Sequence, residues 1–214
     1  MANLDLSAKV LVMIVGPSAI GKSTLMNEIV RRDERFSRVR SFTTRPPRNN
    51  DEPGHYLYMT NDERLAQQVS GDIVTDVLFP TTGYHYGTVA KSYGSGYNLL
   101  DTLAHSVDEY EQLPFKRTVT ISLTTNPDTW QNWLTMRFPS GGSDMKLRLE
   151  EAVASIEWSV AQTDNHYWIV NEPGDVVGTA ERLITLATAE DASTSQPPQA
   201  KLILERAKLL LSYE

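Results

Sequence analysis

The run Gly16-Pro17-Ser18-Ala19-Ile20-Gly21-Lys22-Ser23-Thr24 restricts this chain more than any other feature, because it requires a strand before it and a helix after it. The sequence provides both. Residues 9–15 are a continuous apolar, β-branched-rich stretch closed by Gly16, which predicts a strand of a parallel sheet buried on both faces. From residue 21 to 32 the apolar positions Leu25, Met26, Ile29 and Val30 recur at helical spacing. The run itself matches the P-loop pattern G-x-x-x-x-G-K-[ST]. In such a loop successive backbone N–H groups and the helix N-terminus face a triphosphate, and glycines allow the close approach. Gly16, Ser18, Ala19, Ile20, Gly21, Lys22, Ser23 and Thr24 are therefore the candidate nucleotide-binding residues. Lys22 is placed to neutralise β/γ oxygens and Ser23 to offer a hydroxyl to Mg²⁺, which implies Mg²⁺ with ATP or GTP.

Downstream, residues 98–101, 117–123 and 167–170 are short apolar runs separated by helical stretches, a pattern that favours a parallel α/β sheet. Asn126-Pro127-Asp128 opens one helix, Ser143-Asp144 opens another that runs to about Ala161, and an amphipathic helix spans about residues 200–212. In that last helix Leu202, Ile203, Leu209 and Leu210 are read as an apolar stripe. Asp101 ends its strand run where α/β folds hold metal and ligand, so it is the candidate second Mg²⁺ residue; capping a turn is its alternative role. Two stretches break the alternation. Residues 41–88 read as a small, mostly extended insert, and the Gly/Ser-rich loop after Arg137 reads as a mobile lid.

The net charge of −7 argues against nonspecific binding to nucleic acid or membrane, so an anion site must be a local concentration of cations. Without cysteine there are no disulfides or thiolate metal sites, and four scattered histidines lack ligand spacing. No apolar run approaches the roughly 20 residues of a membrane span, and the N-terminus lacks the order of a secretory signal, so a cytoplasmic protein is expected.

The segments Ser41-Phe-Thr-Thr-Arg45-Pro-Pro-Arg48, Gly54-His-Tyr56-Leu-Tyr58 and Gly83-Tyr-His-Tyr86-Gly87-Thr88 resemble the acceptor-binding region of guanylate kinase. The likeness extends over about residues 9–187. It implies a P-loop NTPase three-layer α/β fold with a parallel core sheet, an inserted acceptor-binding subdomain at about 41–88 and a small lid at about 137–147. The domain so implied covers residues 1–190, and 191–214 form a polar linker and C-terminal helix. By resemblance Ser41, Arg45, Arg48, Tyr56, Tyr86 and Thr88 grip the acceptor phosphate, and two arginines with hydroxyl donors suit a dianion. Arg137 and Arg148 correspond to lid arginines acting beside Lys22 and Arg45 in catalysis, and Asn171 is similar to the residue near adenine.

The implied activity is ATP-dependent, Mg²⁺-assisted phosphoryl transfer to a nucleoside monophosphate, with GMP as the small-molecule partner. Three departures qualify it. Ala19 stands where the family usually has Gly, a change the backbone absorbs if φ there stays negative. Where the family reads guanine with a Glu and an Asp, this chain has Thr75 and Leu103, although a shift of one would substitute Asp76 for the Glu. A same-fold kinase for another acceptor, such as a ribosyl bisphosphate, and a non-catalytic module binding a phosphorylated protein are the competing readings. Trp130, Trp133 and Trp158 are expected to pack, and His85 to be an ordinary strand residue.

Overall fold

The computed structural model describes residues 5–47, 54, 56–79, 82–139, 141–162, 166–190 and 192–213. The first half runs β1 (Val10–Val15), α1 (Lys22–Arg32), β2 (Phe36–Arg38), β3 (Ser41–Thr43), β4 (Tyr56–Tyr58), α2 (Asn61–Ser70), β5 (Ile73–Phe79) and β6 (Tyr84–Val89). The second runs β7 (Tyr97–Asp101), α3 (Val107–Glu111), β8 (Arg117–Thr124), α4 (Pro127–Arg137), α5 (Gly142–Ala161), β9 (His166–Val170), α6 (Val176–Thr188) and α7 (Pro198–Leu211).

Alternation along β1 sets the layers. Leu11, Met13 and Val15 pack with Leu100, Val107 and Tyr110 on one face, whereas Val12 and Ile14 pack with Leu25, Ile29 and Leu183 on the other. All five are fully screened, as predicted for a strand covered on both sides. The core sheet has the order β2-β7-β1-β8-β9 with every pairing parallel. The fold is thus α/β with a parallel core sheet between helical layers.

The second sheet, in the order β4-β3-β6-β5, lies within the predicted insert, with β3 and β4 parallel and the other pairings antiparallel. Gly87 is needed there because a Cβ would lie 1.9 Å from the Thr75 carbonyl oxygen. The insert is less extended than expected, since α2 interrupts it. That helix starts with a capping box: Thr60 accepts from Glu63 N, and the Glu63 carboxylate accepts from Thr60 N.

Asn126 caps α4 by accepting from Asp128 N, with Pro127 at the first helical position as predicted. The tail helix α7 packs on α4, α5 and β8, and of the expected stripe Ile203 and Leu210 join the core while Leu202 and Leu209 do not. Ala200, Ile203 and Ala207 are buried, while Leu202 and Leu209 are about half exposed. The alanines let the helix axis approach its neighbours closely, leaving the longer leucines at the rim. Arg206 pairs with Asp128 at 2.8 Å and Lys208 with Glu157 at 2.6 Å. Before α7, Thr194 Oγ1 accepts from Trp168 N at 2.6 Å, tying the polar segment to edge strand β9. Among the described residues no helix is long and apolar enough to cross a membrane.

Candidate active site

The turn from β1 into α1 is held open by its backbone geometry and by struts from distant strands. Gly21 caps α1 at φ 96° and ψ 13°, and no side chain caps the helix, so its first N–H groups are left for an anion. Ala19 adopts φ 65°, contrary to the expectation of a negative value. The chain carries left-handed strain there of roughly 1–2 kcal/mol. Lys22 Nζ donates to the carbonyls of Gly16 at 2.6 Å and Pro17 at 3.1 Å, and lies 3.8 Å from Asp101 Oδ1. The β1–β7 register, Ile14 beside Asp101, delivers that carboxylate to the end of the loop.

Asn171 follows β9, and its Nδ2 donates to the Ile20 carbonyl at 2.9 Å. Its own backbone is fixed, N–H to Thr124 O at 2.7 Å and C=O from Thr125 Oγ1 at 2.7 Å. Here Asn171 supports the loop as well as lining the cavity. Trp130 is fully buried as expected and also donates Nε1–H to Ser18 O at 2.9 Å.

The acceptor half comes from the second sheet. Pairing of Ser41 with Tyr56 and of Thr43 with Tyr86 gathers Ser41, Tyr56 and Tyr86, whose Tyr56–Tyr86 rings are 6.1 Å apart. Arg45 is buried, with its guanidinium 5.2 Å from the Tyr56 ring centre and 5.8 Å from that of Tyr58. Such stacking holds a guanidinium in one orientation. Arg48 lies outside the described residues. Thr88 is a correction: it is fully buried, bonded to the hydroxyls of Thr75 and Tyr93, and does not line the cavity. It shares a face of β6 with Tyr86 but lies one step further along the strand, where Thr75 and Tyr93 cover it.

Arg137 ends α4 and Arg148 sits on α5, their guanidinium carbons 5.9 and 5.7 Å from the ring of Phe138. Arg148 Nη1 donates to Glu151 Oε2 at 2.6 Å. Arg148 Nε is buried with no hydrogen-bond partner among the described residues. A buried donor of this kind is what an anionic oxygen satisfies. Of the lid segment, Ser140 lies outside the described residues.

The two halves of the site open onto one cavity of about 710 Å³. Residues 18–24 and Asn171 line it beside Ser41, Arg45, Tyr56, Tyr86, Asp101, Arg137 and Arg148. Gly16 lies beneath it and acts through its carbonyl on Lys22. Trp133, expected to pack, lines the cavity instead. Sequence reasoning missed Val77, Phe79, Thr82, Ser106, Tyr110 and Glu172, which also line it. Alternation along β5 was the available signal for Val77 and Phe79. Burial pushes the Tyr110 hydroxyl pKa up, so it remains protonated.

The residues fit a magnesium nucleotide. The uncapped helix start, Lys22 and the orphaned Arg148 Nε suit phosphate oxygens, and the Ser23 hydroxyl with Asp101 supplies hard oxygen ligands. No cluster of three or more His, Cys, Asp or Glu occurs among the described residues.

Comparison with known proteins agrees with this geometry. The guanylate kinase family model matches residues 8–94. A guanylate kinase from Alkalilimnicola ehrlichii is 39% identical over 79 residues, covering 36% of this chain and 38% of its own. One from Paraburkholderia xenovorans is 34% identical over 95 residues and is covered over 41% of its length. The matched segment thus spans only about two fifths of these two relatives. A guanylate kinase from Thermotoga maritima aligns over 87% of this chain and 89% of its own, at 25% identity. In fold, the chain is similar to the guanylate kinase from Anaplasma phagocytophilum, with a TM-score of 0.59, 19% identity and 94% of each chain covered. The family model over residues 8–94, the long alignment and the shared fold together make this chain similar to guanylate kinases.

Proposed function

We propose that the protein is a phosphotransferase that moves a phosphoryl group from ATP to a nucleoside monophosphate, with GMP the acceptor to which the similarity points. The observation that carries this reading is the meeting of two anion-binding constellations in one cavity. Lys22, Ser23 and the start of α1 form one, and Ser41, Arg45, Tyr56 and Tyr86 the other. In the reaction an acceptor phosphate oxygen bonds to the γ-phosphorus, the bond to the β-phosphate bridging oxygen breaks, and ADP and a nucleoside diphosphate leave.

The protein's own part is positioning and charge. Arg45, steadied by the tyrosine rings, holds the acceptor phosphate with hydroxyls from Ser41, Tyr56 and Tyr86. Lys22 meets the β/γ oxygens, and Arg137 and Arg148 stabilise charge that develops on the transferring group. Ser23 and Asp101 would hold Mg²⁺, which neutralises phosphate charge when bound. Asn171 and Trp130 keep the loop in shape, limiting reorganisation during the reaction. Such a cytoplasmic enzyme needs neither nucleic acid nor membrane. Incubation with γ-labelled ATP, Mg²⁺ and GMP should yield labelled GDP; label released only as inorganic phosphate, or none moved, would refute the proposal.

A further inference from the structure

We infer that the far end of the acceptor cleft selects a phosphorylated ribosyl group by shape and hydroxyl contacts, whatever base it carries, and does not select guanine. This rests on the phosphotransferase reading of the same cavity. Guanine differs from other bases in presenting ring N–H and amino donors together, and strong selection for it needs acceptors that cannot also donate, carboxylates above all.

Among the described residues the cleft wall has no carboxylate free to serve. Along β5, Val77 and Phe79 line the cavity, while Thr75 lies buried beneath with its hydroxyl 2.9 Å from Tyr110 Oη. Asp76 does not line the cavity: its Oδ1 is 2.7 Å from His85 Nδ1, and its Oδ2 accepts from Arg64. Releasing it would strand the buried Arg64 guanidinium without its carboxylate. Across the cleft stands Leu103, 39% exposed. The carboxylates that do line the cavity, among the described residues, are Asp101, Glu151 and Glu172. Asp101 faces Lys22, Glu151 binds Arg148, and Glu172 follows the loop strut Asn171.

The lining also holds apolar Val77, Phe79 and Leu103 and hydroxyl-bearing Thr82, Ser106 and Tyr110, the last with its Oη accepting from Thr75. Hydroxyls donate as readily as they accept, so they suit sugar hydroxyls and distinguish bases weakly. An apolar pocket discriminates by about 10- to 200-fold, against about 10⁴ or more for one built on dedicated hydrogen bonds.

The test measures kcat/KM and, by calorimetry, Kd for GMP, AMP, UMP, ribose 5-phosphate and ribose 1,5-bisphosphate. GMP should lie within about 100-fold of the best of the others. A GMP advantage above that overturns the inference. Leu103→Asp and Val77→Glu should each raise the GMP-to-AMP ratio at least about tenfold, as an added acceptor for the guanine donors would; an unchanged ratio in both, with melting curves showing folded protein, also overturns it. If no acceptor is phosphorylated, the activity reading fails and the Kd values decide: comparable binding upholds the inference, while GMP tighter by more than about 100-fold, or no binding at all, overturns it.

Discussion

Replacing Gly21 by Ala probes whether Asn171 braces the phosphate loop. At φ 96° an L residue pays roughly 1–2 kcal/mol for left-handed backbone. The new Cβ would also lie 2.5 Å from Asn171 Nδ2, the atom that donates to Ile20 O at 2.9 Å. Asn171 is buried and can yield only by giving up that bond, at roughly 1–3 kcal/mol. Gly21→Ala should therefore cost about 2–5 kcal/mol. Asn171→Ala alone loses the same bond, about 1–3 kcal/mol. In the double variant the Cβ meets no amide and the bond is lost only once, so its cost should fall short of the sum by about 1–3 kcal/mol. The unfolded-state effect of Ala for Gly cancels in the cycle. Urea unfolding followed by tryptophan fluorescence, with an unchanged m-value, measures it. Additivity within about 0.5 kcal/mol would refute the brace.

Other predictions follow from burial and pairing elsewhere. His166 is held between Trp158 and Trp168, and burial lowers its pKa to about 4. The unfolded chain takes up that proton near pH 6.5 and the folded chain only near 4, so stability should fall as pH drops through this window, by up to about 3 kcal/mol. His166→Gln should remove this component of the slope, and identical pH profiles would contradict it. Glu151→Gln should release Arg148 and lower the KM for ATP about three- to tenfold, a factor set by roughly 1 kcal/mol for a partly buried ion pair; a raised KM would show that Glu151 orients the arginine instead. On α7, Ile203→Ala should cost about 2–5 kcal/mol, whereas half-exposed Leu202→Ala should cost well under 1, and equal costs would contradict the packing face.

The strand, loop and helix from Val10 to Arg32 were legible because their signals are local: an apolar run, a glycine-lysine pattern and helical spacing. The acceptor hydroxyls of Ser41, Tyr56 and Tyr86 were legible through resemblance, and strand pairing explains how they meet. Helix α2 escaped notice because it lacks an apolar stripe. Leu65 and Val69 face outward and the buried residue is Arg64, which reaches Asp76; Thr60 with Glu63 was the only local sign. The face of α7 was half legible: Ile203 and Leu210 pack as read, but leucines occur around most of the helix and its small alanines mark the rest of the contact. The struts from Asn171 and Trp130 reach the loop from far along the chain, beyond any periodic pattern. Nor does the identity of Ala19 reveal that its backbone turns left-handed.

The claim that one cavity joins a phosphoryl donor to a phosphorylated acceptor is tested most directly by γ-label transfer from ATP, with wild-type protein and Lys22→Ala compared under saturating acceptor. Lys22 lies between the loop carbonyls and Asp101, and no neighbouring cation among the cavity-lining residues of the loop can replace its charge. The wild-type protein should form the labelled diphosphate, and Lys22→Ala should lower the rate at least about a thousandfold while its melting curve shows a folded protein. Near-normal transfer by a folded Lys22→Ala variant would contradict the assignment.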